Sequence, residues 1–305
     1  MISFTPFRDD TLRIQHQVYV VGAGGVGARL VPLLVKVLRR GDVIRIIDFD
    51  SVSEENLLRQ HFGLQDVGRF KAEVLASRYS TSDGPTVEAY IQRVEDFGAE
   101  TGFPGGGAED GMGVTIFGAV DNHLARTYLH NLMQFHQPRI YIDMGCSTRT
   151  GQAVIVGACY GTIRIDGKLI YYNSTLDHYL SVDRNRGGYE QHLVKFDGIL
   201  DLVPNILEPD AEESLGCARR IDTQSVISNQ YAATVGFNLG LWFLRGMQVN
   251  SVGSRFSATS GAVQAFPIQH LRSYAVRDRR LVDLIHTKDR LDSLEEGFKL
   301  TSMLG

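Results

Sequence analysis

Cysteine is scarce in this sequence, and the positions of the three that occur exclude two kinds of scaffold. Cys146, Cys159 and Cys217 form no CxxC pair. An odd number of cysteines without that spacing argues against a disulfide framework and against a structural zinc site. We therefore expect no zinc. The sequence still allows one of the cysteines to be a free and reactive thiol.

The sequence also lacks an excess of positive charge and a long apolar run. Its formal net charge is −4 over 305 residues, so no overall positive field would attract nucleic acid or an anionic membrane surface. The apolar segment YAATVGFNLGLWFL is too short and too polar to cross a bilayer, and the first residues do not resemble a signal peptide. We expect a cytoplasmic protein that binds neither nucleic acid nor membranes.

The chain does have enough apolar sequence for a large core, because 43% of its residues are hydrophobic. QVYVVG has the pattern of a strand, GVGARLVPLLVKVLRR that of a helix, and DVIRIIDFD that of a strand buried on both faces. The same alternation continues to about residue 135. It predicts an α/β fold, a doubly wound, Rossmann-like, mostly parallel sheet with helices on both faces.

The pattern changes in the second half of the chain. From Tyr141 onwards strands follow one another without helices, which predicts an antiparallel strand extension of the sheet. From about Leu176 to Gly216 the sequence has little periodicity, and this stretch is long for a connection in a compact domain. A long helix is expected next, in TQSVISNQYAATVGFNLGLWFLRG, and apolar spacing from Leu281 to Phe298 predicts a helical tail.

A glycine-rich loop is the first candidate for a ligand site. Gly22, Gly24 and Gly27 match GxGxxG between a predicted strand and a predicted helix, where backbone N–H groups and the positive helix end meet a phosphate. Asp48 ends the next strand, where its carboxylate would accept hydrogen bonds from a ribose. These features fit an NAD-dependent oxidoreductase equally well, and a tight turn that needs small residues is the purely structural alternative.

Polar and cationic residues follow the second strand. If Ser53 caps a short helical turn, Asn56 and Arg59 are i, i+3 neighbours on it. Gln60 then lies one turn beyond Asn56, and the group faces the mouth of the sheet. Lys71 lies near the start of the next helix, where the helix dipole disfavours a cation unless an anion is bound nearby.

An Asp-Asn pair after the next core strand completes the candidate site. Asp121, followed by Asn122, comes directly after the strand VTIFGAV, at the edge where open α/β sheets bind ligands. A carboxylate there is suited to Mg²⁺. A triphosphate under attack needs several cations, whereas a dehydrogenase pyrophosphate needs only the helix end, so the residues favour ATP with Mg²⁺. Each residue also has a structural alternative: surface charge for Arg59 and Lys71, turn former for Asp50 and helix cap for Asp121.

The combination of GAGGVG, DFDSV, NLLRQ, a downstream lysine and Asp-Asn after a strand resembles the ubiquitin-activating enzyme superfamily, specifically the bacterial ThiF/MoeB/HesA-type adenylyltransferases. The resemblance covers residues 18–126 and resumes at CARRIDTQSVISNQYAATVGFNLGLWFL. It implies a ThiF-type ATP-binding adenylation domain over residues 1–250, with a crossover loop at about 176–222, and a C-terminal helical extension over residues 251–305.

The resemblance also implies an activity and roles for the residues. The activity is ATP-dependent adenylation of the C-terminal carboxylate of a ubiquitin-like or sulfur-carrier protein that ends in Gly, with release of pyrophosphate. Gly25 would approach the phosphates, Arg59 and Lys71 would contact them, and Asp121 would hold Mg²⁺. The full set of expected nucleotide-binding residues is Gly22, Gly24, Gly25, Gly27, Asp48, Asp50, Asn56, Arg59, Gln60, Lys71 and Asn122.

Relatives often pass the acyl group from AMP to a cysteine near the crossover loop. Cys217, beside Arg219 and Arg220, has the position and the cationic neighbours for such a nucleophile. An inert small residue is the alternative. We expect Cys146 and Cys159, on predicted strands, to be core residues.

The expected partners also follow from the resemblance. It implies a homodimer and allows a conjugating enzyme downstream. Two other classes stay open at this point: an NAD-dependent Rossmann oxidoreductase, and a nucleotide-binding scaffold without turnover.

Overall fold

The computed structural model describes residues 2–6, 15–104, 112–133, 139–165, 168–173, 178–182, 192–196, 225–268, 270–274 and 281–285. Within them the strands join one 14-stranded sheet. The strands are β1 (Ile2–Pro6), β2 (Gln15–Val21), β3 (Val43–Ile47), β4 (Thr86–Tyr90), β5 (Met112–Gly118), β6 (Arg139–Cys146), β7 (Thr150–Ile165), β8 (Lys168–Asn173), β9 (His178–Val182), β10 (His192–Phe196), β11 (Ser251–Ser257), β12 (Val263–Pro267), β13 (His270–Tyr274) and β14 (Leu281–Ile285). The helices are α1 (Gly27–Val37), α2 (Lys71–Tyr79), α3 (Val94–Glu100), α4 (His123–Leu132) and α5 (Val226–Leu244), and 3-10 turns cover Glu54–Leu58 and Leu64–Asp66.

One part of the sheet is parallel, in the order β6-β5-β2-β3-β4. Successive side chains of a strand point to opposite faces, and the central strands are buried on both. Val18 and Val20 of β2 enter one core cluster, and Tyr19 and Val21 enter the other. The chain leaves β2 and β5, which are neighbours, in different directions, and this switch point is where open α/β sheets bind ligands.

Helices cover both faces of the parallel strands. Leu30 of α1, Leu75 of α2 and Leu239 of α5 belong to one core cluster. Phe97 of α3 and Leu129 of α4 belong to the cluster on the other face. The predicted doubly wound, Rossmann-like α/β fold with helices on both faces is therefore confirmed.

The predicted antiparallel strand extension is also confirmed, and it is larger than the sequence indicated. β7 is 16 residues long, about 50 Å at 3.3 Å per residue. It pairs with β6 along Arg139–Cys146 and, in antiparallel fashion, with β1, β8, β10 and β11. β13 and β14 join through β10, so one long strand organises this part of the molecule.

Two predictions about the second half need correction. The described part of the predicted helical extension consists of strands β11 to β14. The apolar run Leu281–Ile285 is short enough to fit either period, and it forms a strand because it pairs with β13. The predicted crossover loop contains β9 and β10, and the remainder of residues 176–222 lies outside the described residues. The domain boundary at residue 250 stays a prediction.

Candidate functional site

Among the described residues, no helix has the length and the apolar character needed to span a bilayer.

Most of the residues predicted from the sequence meet at a cavity of about 2440 Å³ at the carboxyl ends of β2, β3 and β5. Gly27 does not line the cavity, and Cys217 lies outside the described residues. The predicted residues that do line it are Gly22, Gly24, Gly25, Asp48, Asp50, Asn56, Arg59, Gln60, Lys71, Asp121 and Asn122.

Packing alone explains two of the glycines. Gly22 has a φ of +92°, and a Cβ on it would lie 2.6 Å from the carbonyl oxygen of Ala119, at the switch point. A Cβ on Gly27 would lie 1.9 Å from the carbonyl oxygen of Gly22. The tight-turn explanation therefore applies to both, and for Gly27 it replaces the predicted ligand contact because α1 packs directly on the loop.

The two glycines between them differ in what they face. A Cβ on Gly24 would have the Gln60 amide, 3.9 Å away, as its nearest neighbour. No packing reason requires glycine there, whereas close approach of a phosphate to the backbone would. A Cβ on Gly25 would lie 2.2 Å from Nδ2 of Asn229 on α5, so glycine is needed there to let that helix approach. Gly25 also lines the cavity.

Asp48 is held in one orientation at the end of β3. Its carboxylate accepts hydrogen bonds from the backbone N–H of Ala23 at 2.6 Å and from that of Asp50 at 2.8 Å. Burial raises the pKa of the Asp48 carboxyl, and the Ala23 N–H and Lys71 oppose that shift only in part. A preorganised carboxylate beside the glycine loop is the group that a ribose hydroxyl requires.

The segment after β3 forms the short helical turn that the sequence predicts. Ser53 precedes it, and the Ser53 N–H donates to Oδ1 of Asn56 at 3.1 Å. This hydrogen bond stabilises the turn, and Asn56 is buried. Arg59 and Gln60 follow it on the cavity wall. Oε1 of Gln60 is buried and has no hydrogen-bond partner among the described residues, which is common where a ligand completes a site.

Lys71 is the first residue of α2, and the anion beside it is Asp50. Its Nζ lies 3.0 Å from Oδ2 of Asp50, and its N–H donates to the Asp50 carbonyl at 2.9 Å. The Lys71 side chain is 8% exposed and that of Asp50 is 52% exposed. The protein itself thus supplies the negative charge that the sequence argument assigned to a ligand, and Asp50 does more than form a turn.

The cap of α4 differs from the structural alternative that the sequence allowed. Asn122 is the cap, and its Oδ1 accepts from the Ala125 N–H at 2.8 Å. The side-chain oxygen of Asn122 is therefore committed to the helix, as these residues commonly are. Asp121 remains exposed on the cavity wall, and its carboxylate stays available to a ligand.

Sequence reasoning missed several residues of the cavity wall. Arg126 lines it from α4, four positions after Asn122, and an i, i+4 search of that helix would have found it. Phe49 and Arg93 line it as well, with the guanidinium 4.4 Å from the ring centroid. No local signal connects these two, because they come from different strand ends.

Cys146 packs against the core cluster, as the sequence predicts, and it also faces the cavity. It is half-buried at the end of β6 and lines the cavity, and its thiol donates to Oδ1 of Asn229 at 3.3 Å. Burial raises the pKa of the Cys146 thiol to about 11, so it is protonated at neutral pH. Cys159 is half-buried and packs against the core, and burial raises its pKa to about 12.

The cavity fits a nucleotide with a magnesium ion better than it fits a protein-bound metal. The open space at Gly24 and the fixed Asp48 carboxylate suit phosphate and ribose. In the part of the chain that the structure describes, no group of three or more His, Cys, Asp or Glu side chains could hold a metal ion. The single carboxylate of Asp121 matches Mg²⁺, which keeps waters and takes further ligands from phosphates.

Known structures share this fold at low sequence identity. The chain matches Escherichia coli MccB with MccA-N7isoASN and MccB with ATP, each at 15% identity, and the microcin C7 biosynthetic enzyme MccB with N-formylated MccA at 16%. Each match has a TM-score of 0.50 and covers 85% of this chain. The chain spans 66%, 65% and 66% of those chains, just under two thirds of their length.

The sequence itself gives the more direct assignment. No curated protein matches it. A family model described as the ThiF family matches residues 5–175, more than half of the chain and all of the parallel strands. The chain belongs to the ThiF family.

Proposed function

We propose that this protein uses ATP to adenylate the C-terminal carboxylate of a polypeptide, a ubiquitin-like or sulfur-carrier protein. The observation that carries the proposal is that Arg59, Lys71 and Asp121 line one cavity together with the glycine loop. The family membership supports it. The matched MccB structures include complexes with ATP and with N-formylated MccA, which agrees with a nucleotide and a second ligand in one site.

The reaction needs positioning and charge more than acid or base. A carboxylate oxygen bonds to the α-phosphorus, and the bond from that phosphorus to the bridging oxygen breaks as pyrophosphate leaves with the electron pair. No proton has to move, so the protein contributes orientation and electrostatic stabilisation. Asp48, fixed by the Ala23 N–H, would hold the ribose, and the open backbone at Gly24 would receive the phosphates.

The charged residues would act on the triphosphate. Arg59 and Lys71 would balance negative charge that develops on the attacked phosphorus and on pyrophosphate. Because Asp50 is exposed, it can turn to solvent and release Lys71 to the nucleotide. Asp121 would hold Mg²⁺, which when bound neutralises phosphate oxygens and orients them.

ATP:pyrophosphate exchange separates this function from its alternatives. We expect exchange that depends on a small partner protein ending in Gly and on Mg²⁺. Binding of NAD without ATP binding would identify an oxidoreductase, which needs neither Lys71 nor Asp121. ATP binding without exchange, with every candidate partner, would identify a scaffold without turnover.

A thioester step on Cys217 remains part of the proposal. Cys217→Ser should leave pyrophosphate exchange intact and abolish a thioester that forms with the partner protein. Cys146→Ser is the matched control, because a thiol with a pKa of about 11 is a poor nucleophile at neutral pH. A thioester that survives in the Cys217 variant and disappears in the Cys146 variant would contradict the assignment.

A homodimer is the assembly we propose. Apolar side chains beside the site are unusually exposed, 81% for Leu58, 77% for Leu64 and 40% for Phe70, and exposed apolar patches mark interfaces. Leu58→Asp should therefore produce monomers in sedimentation equilibrium. Ile227→Asp is the control, because Ile227 is 56% exposed on α5 and does not line the cavity, and a wild-type monomer would refute the dimer. A conjugating enzyme as a further partner stays a prediction.

A further inference from the structure

Arg126 lines the cavity from α4, next to the switch point, and its guanidinium is held on two sides. Its Nη2 donates to the carbonyls of Val120 and Met144, both at 3.3 Å. These carbonyls lie beyond β5 and near the end of β6, so the side chain joins two neighbouring strand ends. Its orientation is therefore set by the backbone.

A buried carboxylate fixes the guanidinium further. Nε of Arg126 lies 3.1 Å from Oδ1 of Asp143. The two atoms are at ion-pair distance, but the contact does not have hydrogen-bond geometry, so its attraction is mainly Coulombic. The Asp143 side chain is 8% exposed, and it cannot turn away to water without leaving the core.

The remaining nitrogen of the fork, Nη1, is free for a ligand. It donates to none of the described residues, whereas Nε and Nη2 are engaged as described. The Arg126 side chain is 24% exposed and lines the cavity. A guanidinium has donors in a fixed plane that suits carboxylates, so Arg126 presents a preorganised donor at a defined place.

The position of Arg126 separates it from the expected phosphate contacts. Arg59 and Lys71 follow β3, whereas Arg126 follows β5. Beyond Arg126 the cavity continues along Gln152 of β7 and Gln264 of β12. Its volume of about 2440 Å³ exceeds the roughly 300–1,000 Å³ of small-molecule sites, which leaves room for a second, extended ligand.

We propose that Nη1 of Arg126 binds the C-terminal carboxylate of the polypeptide substrate and presents it to the nucleotide. This inference rests on the proposed adenylation. The polypeptide tail enters from the antiparallel side, along β7 and β12, and its carboxylate stops at Arg126, next to the glycine loop. Asp121, whose charge Arg126 also feels, disfavours an unpaired anion there, so Arg126 is the group that admits one.

The test uses the full-length protein and two peptides that differ only in their terminal charge. N-acetyl-triglycine carries a free carboxylate, and its C-terminal amide does not. Both are titrated by NMR into protein saturated with α,β-methylene ATP, and also into protein without nucleotide. We expect the acid to bind wild-type protein about 10-fold tighter than the amide, the scale of one charge-assisted hydrogen bond.

Two variants of the Arg126–Asp143 pair remove the proposed donor without leaving a buried charge unpaired. Arg126→Lys retains the charge but loses the fork, and Arg126→Gln combined with Asp143→Asn removes both charges, so no lone charge stays buried. We expect each variant to bind the acid and the amide within about 2-fold of one another. Arg255→Gln is the control, because Arg255 lines the cavity on β11 and pairs with Gln264 at 2.8 Å.

Each outcome decides the question. Equal binding of acid and amide by wild-type protein, or a preference that survives in both Arg126 variants, overturns the proposal. Loss of the preference in the Arg255 variant with retention in the Arg126 variants assigns the carboxylate to Arg255 and overturns it too. Failure of the ATP analogue to bind wild-type protein contradicts the adenylating function, while the peptide comparison without nucleotide still tests Arg126.

Discussion

Two cation–carboxylate pairs on opposite sides of the cavity are built in opposite ways. Lys71 and Asp50 are 3.0 Å apart, with the cation 8% and the carboxylate 52% exposed. Arg126 and Asp143 are 3.1 Å apart, with the cation 24% and the carboxylate 8% exposed. In the first pair the anion can leave, and in the second it cannot.

This difference in exposure suggests different roles. We call Lys71 and Asp50 the opening pair, because its carboxylate can move away, and Arg126 and Asp143 the holding pair, because its carboxylate is buried. An exposed carboxylate gains water when it turns away, so exchanging Asp50 for a phosphate costs little. Leaving a buried carboxylate without a partner costs several kcal/mol, on the order of 3–5, so Asp143 keeps Arg126 in place whether or not a ligand is bound. We infer that Lys71 changes partners and Arg126 does not.

The largest expected effect is on catalysis, at the opening pair. Lys71→Ala and Arg59→Ala should each lower the rate of ATP:pyrophosphate exchange by about 10²- to 10³-fold, because each removes a preorganised positive charge. Asp50→Asn should change it far less, since under the proposed function Asp50 pairs with Lys71 only until the nucleotide binds. An unchanged rate in the Lys71 variant would remove the basis of the comparison.

The next effect is on stability, at the holding pair. Arg126→Ala leaves Asp143 buried without its cation and should lower the free energy of unfolding by about 3 kcal/mol. Asp50→Ala breaks an exposed contact and should cost less than about 1 kcal/mol. Urea unfolding of both variants measures the contrast, and equal losses would show that exposure does not distinguish the pairs.

A smaller effect distinguishes structural from ligand-facing glycines. Gly22→Ala places a Cβ 2.6 Å from the Ala119 carbonyl at a φ of +92°, and should cost about 1–3 kcal/mol of stability. Gly24→Ala places a Cβ 3.9 Å from the Gln60 amide, an ordinary van der Waals contact, so stability should hold while ATP-analogue affinity falls. Calorimetry measures both quantities, and a destabilised Gly24 variant would make the whole loop structural.

The smallest effect is a pH dependence of stability. Burial raises the pKa of the Asp143 carboxyl above its ordinary value despite the opposing effect of Arg126. The folded state then holds this proton more tightly, so its stabilisation is complete below the ordinary aspartate pKa of about 3.9 and is lost as pH rises through the raised value.

Asp143→Asn removes that titration. Unfolding measured between about pH 4 and 7 should show wild-type stability falling relative to the variant as the pH rises. A constant difference would mean that the Asp143 pKa is not raised in the folded protein. Asp48, whose pKa is also raised, titrates in both proteins and cancels in the comparison.

The sequence was most informative where local patterns repeat. Strands such as Gln15–Val21 and helices such as Gly27–Val37 follow from apolar runs and periodicity, and the glycine loop and Asp48 follow from their places at strand ends. It was least informative beyond residue 250, where Leu281–Ile285 satisfies both helical and strand spacing and only its pairing with β13 decides the outcome.

The sequence by itself determined the residue types and their order: small residues in a turn, a carboxylate after a strand, cations on the next elements. Only the tertiary structure decided which charges meet. Asp50 lies against Lys71 and Asp143 against Arg126 because separate strands bring them together. Charge attraction depends on distance and burial, and neither quantity is fixed by separation along the chain.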